Sequence, residues 1–167
     1  WVMLEWQLGQ MGMGSLTTSR AALEKMLPAL GTMAAASYPV FGRSPLYLQE
    51  TLLFPYTAGV LFQQAAVEKL GERAFRRVLE RPPATTHEIF HPTAWLEKQS
   101  YSAPPAPVPE RESEYRRLSS GILGEFDVRV LMKQYCGQED AERFGPMWRG
   151  GSYELLEHRA TGKPALR

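Results

Sequence analysis

His87, Glu88 and His91, in the run TTHEIFHP (85–92), carry the spacing H-E-x-x-H. On a helix, histidines at i and i+4 share one face and can bind one zinc ion, while the glutamate between them acts as general base on a zinc-bound water. The helix must run past the second histidine to hold both side chains. Here Pro92 follows His91 directly, and a residue before proline is pushed out of the helical region. Upstream, RPPATT places two prolines and two threonines ahead of His87. This predicts a loop, a threonine N-cap, one helical turn and a stop. A single turn is a poor platform for a metal. A third ligand would have to come from His158, Glu114 or Glu125, and the sequence marks none of them. His87, His91 and Glu125, with Glu88 as base, are therefore the self-contained zinc site this chain could build. The expectation is instead a short capped turn on the surface, with His91 bonded locally, and no metal held by this chain alone.

The elements around that turn read as mostly helical. WVMLEWQLGQMGM, with Val2, Trp6 and Met13, has the spacing of an amphipathic helix that fades at the glycines. LTTSRAALEKMLPALGTMAA places Leu23, Met26, Leu27 and Leu30 three or four apart behind a Thr18 or Ser19 cap, with Pro28 as a kink point. ASYPVFGRSP reads as a loop. LYLQETLLFPYTAGVLFQQAAVEKLG is the strongest helical segment, with Phe54, Ala58, Leu61 and Ala65 as one stripe, Phe62 beside it and Gly71 capping its end. In ERAFRRVLER, a short charged helix, Phe75, Val78 and Leu79 should face inward. PTAWLEK is another short helix, and SYSAPPAPVPE an extended, proline-rich connector.

In SSGILGEFDVRVLMKQYCG, Phe126, Val128 and Val130 alternate like a strand, whereas Leu123, Phe126, Val130 and Leu131 fit a helix; the length favours the helix. QEDAERFGPMW is a further short helix. Tyr153 to Arg159 suits a strand and TGKP a turn, so the chain closes on a β-hairpin cut short. The organisation expected is one mainly α domain, the fragment of a longer protein. Residues 1–99 form a helical subdomain, 100–116 a connector, and 117–167 helices followed by the hairpin.

Composition sets outer bounds. The chain has 167 residues, 44% of them hydrophobic, enough for one good core. Its 19 basic and 18 acidic residues balance to a net charge of +1 with no basic tract, so a nucleic-acid partner is not expected. No run reaches the ~18 apolar residues of a membrane span. The single Cys136 excludes an internal disulfide and leaves the compartment undetermined.

Taken in order, ETLLFPYTAGVLFQQ, PPATTHEIFHP, GILGEFDVRVL and MWRGGSYELLE resemble the C-terminal half of an uncharacterised bacterial family that is itself similar to gluzincin, or peptidase-MA-like, zinc metallopeptidases. The resemblance covers about residues 1–160. It implies a peptidase acting on peptide or protein substrates, with zinc in the full-length parent, and an exported or cell-envelope location. In the family pattern, Glu or Gln is usual where His87 stands and Gln where Glu88 stands; only His91 and Pro92 match. The family's metal-binding helix would lie ahead of Trp1. The resemblance also gives Tyr56 a role. Gluzincins commonly place a tyrosine in a Y-x-K-G helix to donate to the tetrahedral oxyanion, and FPYTAG is similar, with Tyr56 and Gly59 in place and Ala58 for the lysine.

The residues themselves are compatible with that role. On one continuous helix Tyr56 lies about 200° around from Phe54 and shares a less apolar face with Gly59 and Gln63. Gly59 leaves room for a substrate or a backbone to approach, and His91 could line the same cleft. The competing reading makes Tyr56 an amphipathic packing residue and His91 a capping residue. Three functions are therefore carried forward: the substrate-cleft wall of a zinc peptidase, with Tyr56 as oxyanion donor; a non-catalytic helical scaffold or binding module; and a self-contained zinc site at His87 and His91.

Overall fold

The computed structural model describes residue 10 and residues 20–99 and 112–167. The expected helix over residues 1–13, the Thr18/Ser19 cap and the proline run of the connector lie outside them. By its internal contacts the chain divides into two compact units, Trp1–Ala84 with Glu88–Lys98, and Thr85–His87 with Gln99–Arg167. It is mainly α, with a small antiparallel sheet near the C-terminus.

In the first unit, α1 (Arg20–Ser37) runs through Pro28 and buries Leu23 and Leu27. The segment read as a loop contains a short helix, α2 (Pro39–Gly42), started by the proline at its first position. The long helix expected over residues 46–71 is broken. α3 (Leu46–Leu53) passes into a 3-10 turn, Phe54–Tyr56, and α4 (Ala58–Leu70) follows. Pro55 supplies no N–H to the helical ladder. Thr57 leaves helical geometry at φ −110°, ψ −86°, and its hydroxyl donates back to the Leu53 carbonyl at 3.1 Å.

This break resets the buried face. The expected stripe through Phe54, Leu61 and Ala65 is only half-buried, while Phe62 and Ala66, four apart on the restarted helix, are buried. They form the core with Ala74 and Trp95. Gly71 closes α4 at φ +60°. In α5 (Arg73–Glu80) the inward residue is Ala74, Phe75 and Val78 are half-buried, and Leu79 is 85% exposed. Ala74 and Val78 sit four apart on one face, and Leu79 falls ~100° beyond it.

The turn read from HEIFHP is α6 (Thr86–Phe90), and α7 (Pro92–Leu96) follows after His91. Proline at the start of α7 and the non-helical His91, at φ −122°, ψ 77°, are the predicted stop and restart.

In the second unit, Tyr115–Leu123 is a strand, β1; its second half, from Ser119 to Leu123, was expected to be the start of a helix, and Leu123 pairs with Gly151 instead of joining a helical stripe. The ambiguous segment is helix α8 (Glu125–Tyr135), burying Phe126 and Val130 one turn apart. α9 (Gln138–Phe144) packs on it and leads into a 3-10 turn, Gly145–Met147. The expected hairpin is β2 (Gly151–His158) and β3 (Pro164–Leu166), and β1 pairs antiparallel on the other side of β2, from Tyr115 opposite His158 to Leu123 opposite Gly151. Among the described residues no helix is long and apolar enough to cross a membrane.

Glu154 pins the sheet. Its backbone exchanges hydrogen bonds with Arg167 at 2.8 and 2.9 Å, and its carboxylate takes the Arg167 guanidinium and, at 3.3 Å, that of Arg117 on β1. The hydrogen bond from Arg167 holds the Glu154 carboxyl below the usual carboxylate range; burial opposes this and Arg117 reinforces it. A carboxyl lowered in the folded state stabilises fully above its unfolded value, about 4.3 for Glu. That contribution disappears as the pH falls through the lower folded value. Glu154→Gln should therefore melt below the wild type at neutral pH, and the gap should close in acid. A gap that stays constant or widens in acid would contradict this assignment.

Candidate functional site

The site is best built outward from Glu125, the first residue of α8. Its carboxylate is placed where the helix dipole favours negative charge, yet the residue is only 2% exposed. Burying an ionised carboxylate is unfavourable unless its oxygens are satisfied. Both are. Oε1 accepts from Arg129, one turn along the same helix, at 2.7 Å from Nε and 2.6 Å from Nη2. Oε2 lies 2.5 Å from His87 Nδ1, a separation that requires a proton between the two atoms.

Two glycines make room for this arrangement. A Cβ at Gly145 would stand 2.4 Å from Arg129 Cγ, so only glycine leaves the path by which the guanidinium reaches Glu125. A Cβ at Gly124, the N-cap of α8, would stand 2.6 Å from Thr86 Oγ1. Thr86 supplies the cap that Gly124 lacks, accepting from the Phe126 N–H at 3.1 Å. Asp127 completes it by accepting from the Gly124 N–H at 2.7 Å. His87 is thus anchored beside Glu125 by the neighbour that caps the helix bearing Glu125.

Glu88 is buried in the first unit. One oxygen accepts from the Ala84 N–H at 2.6 Å, just ahead of α6, and the other lies 3.7 Å from Arg81 Nη1. Arg81 in turn covers the Trp95 ring at 5.1 Å. The carboxylate that the motif would use as a base is occupied in tying down its own loop.

His91 opens α7 in the first unit, whereas His87 and Glu125 belong to the second. Of the ligand set read from the sequence, His87 and Glu125 meet within the second unit. Among the described residues, neither unit alone holds three His, Cys, Asp or Glu side chains grouped to share an ion. Of the other candidates for third ligand, Glu114 is exposed and lies 3.8 Å from His158 Nε2.

Tyr56 ends the 3-10 turn and is 65% exposed. It is not on the helix that carries Gly59 and Gln63, because the chain leaves helical geometry at Thr57. A Cβ at Gly59 would meet only the Phe54 carbonyl oxygen at 3.7 Å, so the space beside that backbone is open. Gln63 is half-buried on α4, with its amide nitrogen enclosed. Phe54, at the other end of the 3-10 turn, packs edge-to-face on Phe90 at 5.4 Å and fixes the base from which Tyr56 projects.

The sequence reading missed Arg129 and Thr86. Arg129 had a signal, since an acid and a base four apart on a helix pair readily; Thr86 had only its place beside the motif. Compared with protein-family models, characterised proteins and solved structures, the chain matches none.

Proposed function

We propose that this chain is the helical part of a gluzincin-like zinc metallopeptidase, forming a wall of its peptide-binding cleft and presenting Tyr56 to the substrate. The observation that carries this reading is the position of Tyr56. Its side chain is exposed at a helix break, on a turn whose other end is anchored by Phe54 against Phe90, with open space beside Gly59. A phenol held on such a base can donate a hydrogen bond to a substrate carbonyl oxygen as negative charge builds on it, the proton remaining on the phenol. Donors of this kind act most strongly when fixed in place before the reaction.

Glu88 is engaged by Arg81 and Ala84, and the Arg129 guanidinium on Glu125 opposes a cation there. In this reading zinc is held by the metal-binding helix that the family resemblance gives to the full-length parent. The same engagement of Glu88 and Glu125 supports the second reading, a non-catalytic helical binding module.

Tyr56→Phe in the intact protein separates the two. The peptidase reading expects kcat to fall by about 10²–10³-fold with KM nearly level and zinc content unchanged. Wild-type turnover in a folded, zinc-loaded variant would remove the phenol from catalysis and favour the binding module.

A further inference from the structure

We infer that the groove along α5 is a docking site for an acidic peptide segment. Leu70, Arg73, Arg76, Arg77 and Glu80 line a cavity of about 420 Å³ there, within the range of ligand-sized pockets. Positions 73, 76, 77 and 80 recur at i, i+3, i+4 and i+7, so their side chains share one helix face. The lining carries three guanidinium groups and one carboxylate. Glu80 lies 3.2 Å from Arg76 Nε and 4.0 Å from Arg77 Nη1. Among the described residues Arg73 has no ion-pair partner.

This arrangement is unfavourable in the free chain. Arg73 is the first residue of its helix, where the dipole disfavours a cation, and Arg73 and Arg77 are like charges one turn apart. An anion laid along the groove relieves both. The chain's net charge of +1 supplies no general attraction for a polyanion such as a nucleic acid, and Leu70 gives the groove an apolar wall suited to a peptide. Spacing makes the match specific. Arg73 and Arg77 are offset by ~6 Å along the helix axis. Carboxylates at alternate residues of an extended peptide point to one side about 6.6 Å apart. The segment recognised is therefore one with Glu or Asp at every second position. This rests on the reading of the chain as peptide-binding and narrows its substrate class, but its readout is binding and not hydrolysis.

The test is fluorescence anisotropy of a labelled peptide of alternating Glu and Ala, titrated with the full chain. Saturable binding that weakens with added salt is expected. The paired change Arg73→Glu and Arg77→Glu should raise Kd by about tenfold or more. Arg73→Gln with Arg77→Gln serves if the reversal disturbs the helix, as read by circular dichroism. The oxyanion assignment is read in kcat and this site in Kd without turnover, so failure of the one and failure of the other are distinguishable. Equal binding of an alternating Gln–Ala peptide, equal binding by folded arginine variants, or tighter binding of a single-stranded oligonucleotide or inorganic phosphate would each overturn the proposal.

Discussion

Trp95→Ala is expected to lower the free energy of unfolding by about 3–5 kcal/mol, the range for removing a large aromatic side chain from a packed core. Trp95 is 1% exposed and belongs to the cluster with Phe62, Ala66 and Ala74. Its ring meets Phe62 edge-to-face at 5.1 Å, and its indole N–H donates to the Arg81 carbonyl at 3.0 Å. Arg81 lies over the same ring and donates back to the Trp95 carbonyl. Truncation thus leaves a cavity, a carbonyl without its donor, and a guanidinium without the surface that positions it against Glu88. Trp95→Phe keeps most of the volume and should cost about 1–3 kcal/mol, mainly for the lost hydrogen bond. Urea unfolding followed by circular dichroism measures both. A loss below about 1 kcal/mol for Trp95→Ala would show that the Phe62–Trp95 cluster is not what holds the first unit together.

How much of this was legible in the sequence depended on whether the signal was local. α8 could be told from a strand because Phe126 and Val130 repeat at helical spacing, but the length that favoured a helix also took in Ser119 to Leu123, which belong to β1. The one-turn α6 could be read because proline and threonine act on their immediate neighbours. β1 had no such signal. Most of YRRLSSGIL is exposed, so no apolar alternation marks it, and its strand character comes from pairing with β2 more than twenty residues away. The break at Pro55 was legible in principle, but a strongly apolar run on both sides made one continuous helix the simpler reading. The result was a stripe through Leu61 where the buried face runs through Phe62 and Ala66. Glu125 was named only as one carboxylate among several. Its burial follows from Thr86 and His87, some forty positions upstream, and from the space at Gly145; none of these is adjacent to it in sequence.

Removing that carboxylate while keeping Arg129 should have an effect comparable to the Trp95 truncation. A buried ion pair gains little over an apolar pair of the same shape, because desolvation offsets the attraction. Taking away one partner is different, since the other charge stays buried without its counterpart. Glu125→Ala removes the two contacts of Arg129 with this carboxylate and the carboxylate partner of His87 Nδ1 in one step. A loss of about 3–5 kcal/mol is expected. Because part of the cost is a half-buried guanidinium left without this carboxylate, removing that too should recover some of it. Glu125→Ala with Arg129→Met should be more stable than Glu125→Ala alone, and a double-mutant cycle in urea would report the coupling directly. Gly145→Ala tests the same geometry from the other side, as its methyl group would enter the space of the Arg129 side chain and should weaken the pair with no charge altered. If the double variant were no more stable than Glu125→Ala, the carboxylate would be holding the unit by some contact other than its bond to Arg129.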